Sequence, residues 1–234
     1  MENKLVKDNS IRSKNTLILF AVLAGIDALS VGLSFYQNSV LKAYELGEYS
    51  DEYITNLDYA TMFLGILQFI CIITIIVLFI KWFRRAYGNL IRLEINMDYT
   101  ENGAVWGYFI PFVNWVRPVK TMKEIYIKTQ KAIKAYDSTL VLDQNTSFIV
   151  LWWVIYIANG VVGNFASKAM NRASTIDEFV DANNIYIVSD LIDILSIALA
   201  VIVIQKISKL ELSLKKVDKS MSLIDQIGTE QTSL

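Results

Sequence analysis

YATMFLGILQFICIITIIVLFI, Tyr59 to Ile80, decides the fold. The run holds no charged residue over 22 positions, and a helix rising about 1.5 Å per residue needs about 20 such positions to cross roughly 30 Å of hydrocarbon. Three further runs have comparable length: Leu17 to Phe35, Ser147 to Ala166 and Ile185 to Ile204. A backbone in lipid has no water to bond with, so stretches of this length and composition satisfy their own amides as helices. The reading is an all-α integral membrane protein, a four-helix transmembrane bundle.

Around these runs, 234 residues at 54% apolar content leave little material for a separate soluble domain. The expected organisation is an N-terminal segment 1–15, a membrane domain 16–207 with a long central loop 81–146, and a tail 208–234. The first run carries Asp27 and no small-residue cleavage site follows it, so it reads as a retained span and not a signal peptide. Histidine is absent and Cys71 is the single cysteine. An internal disulfide, imidazole or thiolate metal sites, and Ser/His/Asp or Cys/His catalysis are thereby excluded. No metal and no cofactor are expected.

The net charge of −1 hides a segregation. Nineteen of 22 basic residues lie before the first run, in the central loop, or from Lys206 onward; only Lys42, Lys168 and Arg172 lie in the other two loops. Those loops are acidic instead, with Glu45, Glu48, Asp51, Glu52, Asp58, Asp177, Glu178 and Asp181. The positive-inside rule places both termini and the central loop in the cytoplasm, at the plasma membrane. The charges flank spans and no nucleic-acid-binding motif accompanies them, so the expected partner is the anionic leaflet and not nucleic acid.

The loop Tyr36 to Asp58 has no proline and one glycine, which allows but does not require a short helix lying over the outer surface. In the central loop, Lys81 to Met97 continues the second span as a helix that brings Arg84, Arg85 and Arg92 to headgroup level. Gly103 to Pro118, GAVWGYFIPFVNWVRP, is aromatic and too short to span, and Pro111 and Pro118 interrupt it. This reads as an interfacial or re-entrant aromatic hairpin with Trp106 and Trp115 in the headgroups. Val119 to Tyr136 is an amphipathic helix with Met122, Ile125, Tyr126 and Ile133 on one arc and Lys120, Lys123, Lys128, Lys131 and Lys134 opposite. Its lysines face anionic lipid, or its stripe packs on the protein's own inner face; the pattern fits both. In the tail, Ile207, Leu210, Leu214, Val217, Met221 and Ile224 form a heptad seam. It suits a second copy, a protein partner, or the chain's own central loop.

Together Trp82, Phe83, Arg84, Arg85, Ala86, Asn89 and Leu90, then Trp106, Phe109, Ile110, Pro111, Asn114 and Pro118, then Glu124 and Tyr126, then Trp152 and Trp153 carry a pattern. It resembles a bacterial multi-span membrane family, domain of unknown function 4328, over about Tyr59 to Ile207. The family more often has tryptophan at position 126. The resemblance implies a helical domain of a bacterial inner membrane with no assigned activity, and a structural role for Trp82, Asn89, Trp106, Pro111, Asn114, Pro118, Trp152 and Trp153. It transfers no catalytic residue.

Three ionisable residues lie inside the runs: Asp27, Asp190 and Asp193. Each costs about 2.5 to 3.5 kcal/mol at a span centre on insertion scales, so each requires a reason. Asp27, Gln68, Asn159 and Asp193 all fall about 10 to 13 Å from the outer ends of their spans. Asp190 and Asp193 are three apart and share a helix face. The five residues form either a proton- or cation-binding site open outward or a set of hydrogen bonds that fixes helix packing. The leading functional reading is a non-enzymatic membrane protein that organises or binds lipid or protein partners at the cytoplasmic face. A small proton- or cation-binding transporter or channel is the alternative. Aspartyl-type hydrolysis ranks third, because the contexts AGIDAL and VSDLIDIL lack a glycine-framed aspartate.

Overall fold

The computed structural model describes residues 5–215. In chain order its helices are α1 (Ser10–Glu45), α2 (Asp51–Arg92), α3 (Glu101–Trp106), a 3₁₀ turn (Val113–Trp115), α4 (Arg117–Lys134), α5 (Ser147–Met170) and α6 (Ile176–Leu214). The apolar runs lie in α1, α2, α5 and α6. Only 17% of the richest apolar window in α1, α2 and α5, and 33% in α6, is buried inside the protein. The remainder faces outward, as Ile66, Phe69, Ile70, Ile73 and Val77 do along α2. A continuous apolar surface of this extent requires lipid as its solvent. The chain is a multi-pass membrane protein.

Among the described residues no separate surface helix follows the first span. Instead α1 continues to Glu45 and α2 begins at Asp51, because Tyr36 to Glu45 contains no helix breaker and its Val40 and Leu41 are buried. The turn between them needs Gly47 at φ 81°, a conformation that a side chain resists. Asp51 and Glu52 then occupy the first turn of α2, where the helix dipole favours acid. At the other short connection a capping box starts α6: Glu178 N–H donates to Thr175 Oγ1 (3.3 Å) while Ser174 N–H donates to Glu178 Oε2 (2.7 Å).

The chain packs as two units. A span unit comprises Thr16–Val77 and Val150–Val201; a loop unit comprises the described residues up to Asn15, Leu78–Ile149, and those from Ile202. In the loop unit, Trp82, Phe83, Tyr87 and Leu90 of α2, Met122 and Ile125 of α4, and Ile207 and Leu214 of α6 are all fully buried. The apolar stripe of α4 is therefore covered by the protein, which decides between the two placements its periodicity allows. Glu124 fastens this helix: it accepts from Tyr87 Oη (2.9 Å), the Asp98 amide (2.7 Å) and Lys128 Nζ (2.6 Å). The irregular chain after α4 is pinned by Gln130, which exchanges hydrogen bonds of 3.0 and 2.7 Å with the Asp143 backbone.

Glu211 is buried at the junction of three helices. Asn9 Nδ2 donates to its Oε2 at 2.9 Å and Asn89 Nδ2 to its Oε1 at 3.1 Å. Asn9 also bonds the Trp82 carbonyl (3.1 Å), and Ser208 Oγ accepts from Trp82 Nε1 (3.2 Å), so one polar node joins the α1 start to α2 and α6. Ile207, Glu211 and Leu214 are spaced by four and three and share the buried face; Leu210 is only half-buried. The heptad seam is thus rotated from the expected one, and its Val217, Met221 and Ile224 lie outside the described residues.

Glu211 lies seven residues beyond Ile204, past the apolar run, and burial pushes its carboxyl up to about 7 against the donations of Asn9 and Asn89. The charged groups facing it are Asp8 and Arg85. Because the folded value lies above the unfolded one, the fold binds this proton more tightly than the unfolded chain does. Stability is therefore greatest at low pH and falls as pH rises through about 4.5 to 7, by roughly 3 kcal/mol at most. Glu211→Gln should flatten that part of the profile, read as the thermal midpoint in nanodiscs between about pH 5 and pH 8.

Candidate functional site

The span unit brings the intramembrane polar residues together. Gln68 of α2 donates Nε2–H to Asp27 Oδ1 of α1 at 2.9 Å, and its amide also meets the Asp190 carboxyl of α6. Asn159 of α5 donates to Asp193 Oδ1 of α6 at 2.9 Å and accepts from Ser189 Oγ at 3.0 Å. The carboxyls of Asp27 and Asp193 are neighbours that interact electrostatically. Asp27 is 1% exposed, and its Oδ2 receives no donor among the described residues.

One helical turn along each element the chemistry changes. Leu23 precedes Asp27 by four residues, Cys71 and Ile197 follow Gln68 and Asp193 by three and four, and with Ile75 they form a buried apolar layer packed by Leu19, Phe20, Ala24 and Val201. Toward the acidic loops the interior is polar. Gln37 donates to Asp58 Oδ1 (2.9 Å), Asn183 donates to Gln37 Oε1 (3.2 Å) and Asn38 Oδ1 (3.1 Å), and Ser34 is buried nearby in sequence. The carboxyl layer is closed by hydrocarbon on one side and continues into amides and hydroxyls on the other.

In the loop unit, Trp106, Phe109, Ile110, Phe112, Trp115 and Val116 are all exposed, Phe112 to 76%. Phe112 holds φ 63°, a region that costs a bulky side chain of order 1–3 kcal/mol. Tyr108 anchors the segment from inside, its ring 5.7 Å from Phe79 and 5.0 Å from Phe83. Arg117 closes it by lying across Gly107, where a Cβ would come within 2.3 Å of Arg117 Cδ. Pro118 is buried in the first turn of α4, Pro111 is exposed at the bend, and Asn114 is half-buried.

The basic residues divide into two sets. Arg84 and Arg92 pair with Glu101 (3.3 and 3.4 Å), Lys120 with Asp98 (2.8 Å), and Lys128 with Glu124 (2.6 Å). Arg85 reaches only the Asp8 carbonyl (3.5 Å), and Lys123, Lys131 and Lys134 have no carboxylate partner among the described residues. Trp82 and Asn89 belong to the Glu211 node, and Trp152 and Trp153 pack with Tyr156, 4.9 Å from the Trp153 ring. Sequence reasoning missed Glu211 and Asn9, and named Glu124 only as part of the family pattern. The spacing of Glu211 from Ile207 and Leu214 was the available signal, and it was masked by counting apolar residues alone.

Gln68 touches two of the three carboxyls, so Gln68→Leu should lower the thermal midpoint in nanodiscs, a loss of about 1 kcal/mol for interhelical bonds of this kind. Leu64→Ala, on the preceding turn of α2, serves as the comparison for lost packing.

No curated protein and no solved structure matches this chain. A family model does match residues 49–209, more than half of it, a range that holds Gln68, Asn159, Asp190 and Asp193 and leaves out Asp27. The chain belongs to the family described as domain of unknown function, DUF4328.

Proposed function

We propose that this is a non-enzymatic membrane protein whose cytoplasmic face engages the inner leaflet through residues 106–116. The observation that carries the reading is the contact of Tyr108 with Phe79 and Phe83. Phe79 is the penultimate residue of the second apolar run, so the exposed tryptophans and phenylalanines of this segment stand at the level where hydrocarbon gives way to headgroups. Their chemistry suits that depth, since each indole has an apolar body and one N–H for the polar side. The backbone at Phe112 holds an aromatic outward in a strained conformation, a cost that lipid contact offsets.

The unpaired Lys123, Lys131 and Lys134 supply charge for anionic headgroups. Orientation follows the basic flanks, with both termini on the cytoplasmic side. A second copy or protein partner along Ile207 and Leu214 does not enter this reading, because both are already covered by the chain itself. The alternative of a small proton- or cation-coupled transporter rests on one observation, the three carboxyls of α1 and α6 at one level. Vesicles loaded with a pH-sensitive dye should report proton flux that Asp27→Asn abolishes; equal flux with and without the protein removes that alternative.

Trp106 and Trp115 are 61% and 59% exposed, while Trp82 is fully buried and Trp152 and Trp153 are 5% exposed. In nanodiscs of brominated lipid, fluorescence should be quenched more by bromines near the headgroup than by bromines near the chain end. The Trp106→Phe, Trp115→Phe double variant should lose that difference. Phe112→Gly should keep the thermal midpoint, by relieving the backbone, yet reduce the quenching. Quenching of wild type by aqueous iodide but not by bromolipid would overturn the reading.

A further inference from the structure

The span unit sets three carboxyl groups together with no cation to neutralise them. Its sequence contains only Lys42, Lys168 and Arg172 as bases, all outside the apolar runs, and Lys42 is 15 residues along α1 from Asp27, about 22 Å. The groups that face the carboxyls from neighbouring helices are neutral: Gln68 from α2, Asn159 from α5, the Cys71 thiol and the Tyr156 phenol. Asp27 and Asp193 are neighbours that feel each other's charge, and each spends one oxygen on an amide, Asp27 on Gln68 and Asp193 on Asn159. Two ionised carboxylates are acceptors only, so this pairing is repulsive unless something positive lies in it. The buried Asp27 Oδ2, which has no donor among the described residues, marks where that positive charge is missing.

Among the described residues no three His, Cys, Asp or Glu side chains, the three aspartates included, lie close enough together to hold a metal ion. A proton needs only the two facing oxygens. The apolar layer of Leu23, Cys71, Ile75 and Ile197 excludes water on one side, and the polar residues Ser34, Gln37 and Asn183 provide an approach from the other.

We infer that Asp27 and Asp193 form a proton-binding site, a carboxylic acid–carboxylate pair holding one proton between them, with Asp190 as the third, ionisable member held by Gln68. The inference stands on the carboxyl geometry and is independent of the lipid contact of residues 106–116.

Infrared difference spectra of the full chain in nanodiscs test it. At neutral pH the wild type should show a carboxylic-acid C=O band that shifts in D₂O, and the band should vanish in both Asp27→Asn and Asp193→Asn and persist in Asp190→Asn. Asp27→Asn carries its own N–H into the contact, so its thermal midpoint should stay at or above that of wild type, whereas Asp27→Ala should fall below it. Absence of the band in wild type overturns the proposal, and that spectrum needs no variant to fold. So does a band that survives in Asp27→Asn and Asp193→Asn, or one lost only in Asp190→Asn. A wild-type midpoint that rises with Na⁺, Mg²⁺ or Ca²⁺ at fixed pH and ionic strength, and ceases to do so in Asp27→Asn, also overturns it in favour of a cation.

Discussion

Hydrocarbon offers a polar side chain no water, and this constraint organises the span unit. A carboxyl near a span centre costs about 2.5 to 3.5 kcal/mol on insertion scales, while an interhelical hydrogen bond returns on average about 0.6 kcal/mol and at best about 1.7. One amide donor to Asp27 and one to Asp193 therefore leave each charge largely uncompensated. The chain meets the shortfall by clustering: four helices each contribute a polar group, with Asp27 buried and Asp190 and Asp193 half-buried. Asp27, the most deeply buried, is the one that sits between Gln68 and Asp193.

The loop unit applies the same constraint where water begins. Its helix α4 has a strongly amphipathic pattern, yet Met122, Ile125, Tyr126 and Ile133 are spent on the protein's own core. Exposure falls instead on Trp106, Phe109, Phe112 and Trp115, while Tyr108 of the same segment packs on Phe79 and Phe83. Ion pairs around this unit are half exposed and stabilise little individually. The buried polar nodes matter more, because removing one partner from Glu124 or Glu211 strands a desolvated carboxyl.

Long-range architecture was legible from the sequence where one physical scale governs it. Helix rise against hydrocarbon thickness located all four runs, and the same rise placed Asp27, Gln68, Asn159 and Asp193 at matched depth before any contact was known. What depth cannot supply is azimuth, so which amide meets which carboxyl emerged only from packing. Periodicity found α4 but not its destination, since an apolar stripe is equally satisfied by lipid or by protein. Counting apolar positions also misdirected the tail: Leu210 was assigned to the buried seam, but the side-chain amides of Asn9 and Asn89 make room for Glu211 on that face. The extension of α1 to Glu45 was missed because the polar sequence after Phe35 was read as loop although nothing in it ends a helix.

The choice of aspartate over asparagine at positions 27 and 193 separates packing from chemistry. Were these residues retained only to join helices, asparagine would do so better: a carboxamide donates and accepts at once, carries no charge to desolvate, and would bond its counterpart across the gap where two carboxylates repel. Gln68 and Asn159, one turn from the apolar layer and at the same height, show that amides are accommodated here. Two acids beside each other, each with an amide behind it, gain nothing as adhesive and gain one property that amides lack, the capacity to take up or release a proton. That property is retained against a free-energy cost, in the part of the molecule where the cost is highest.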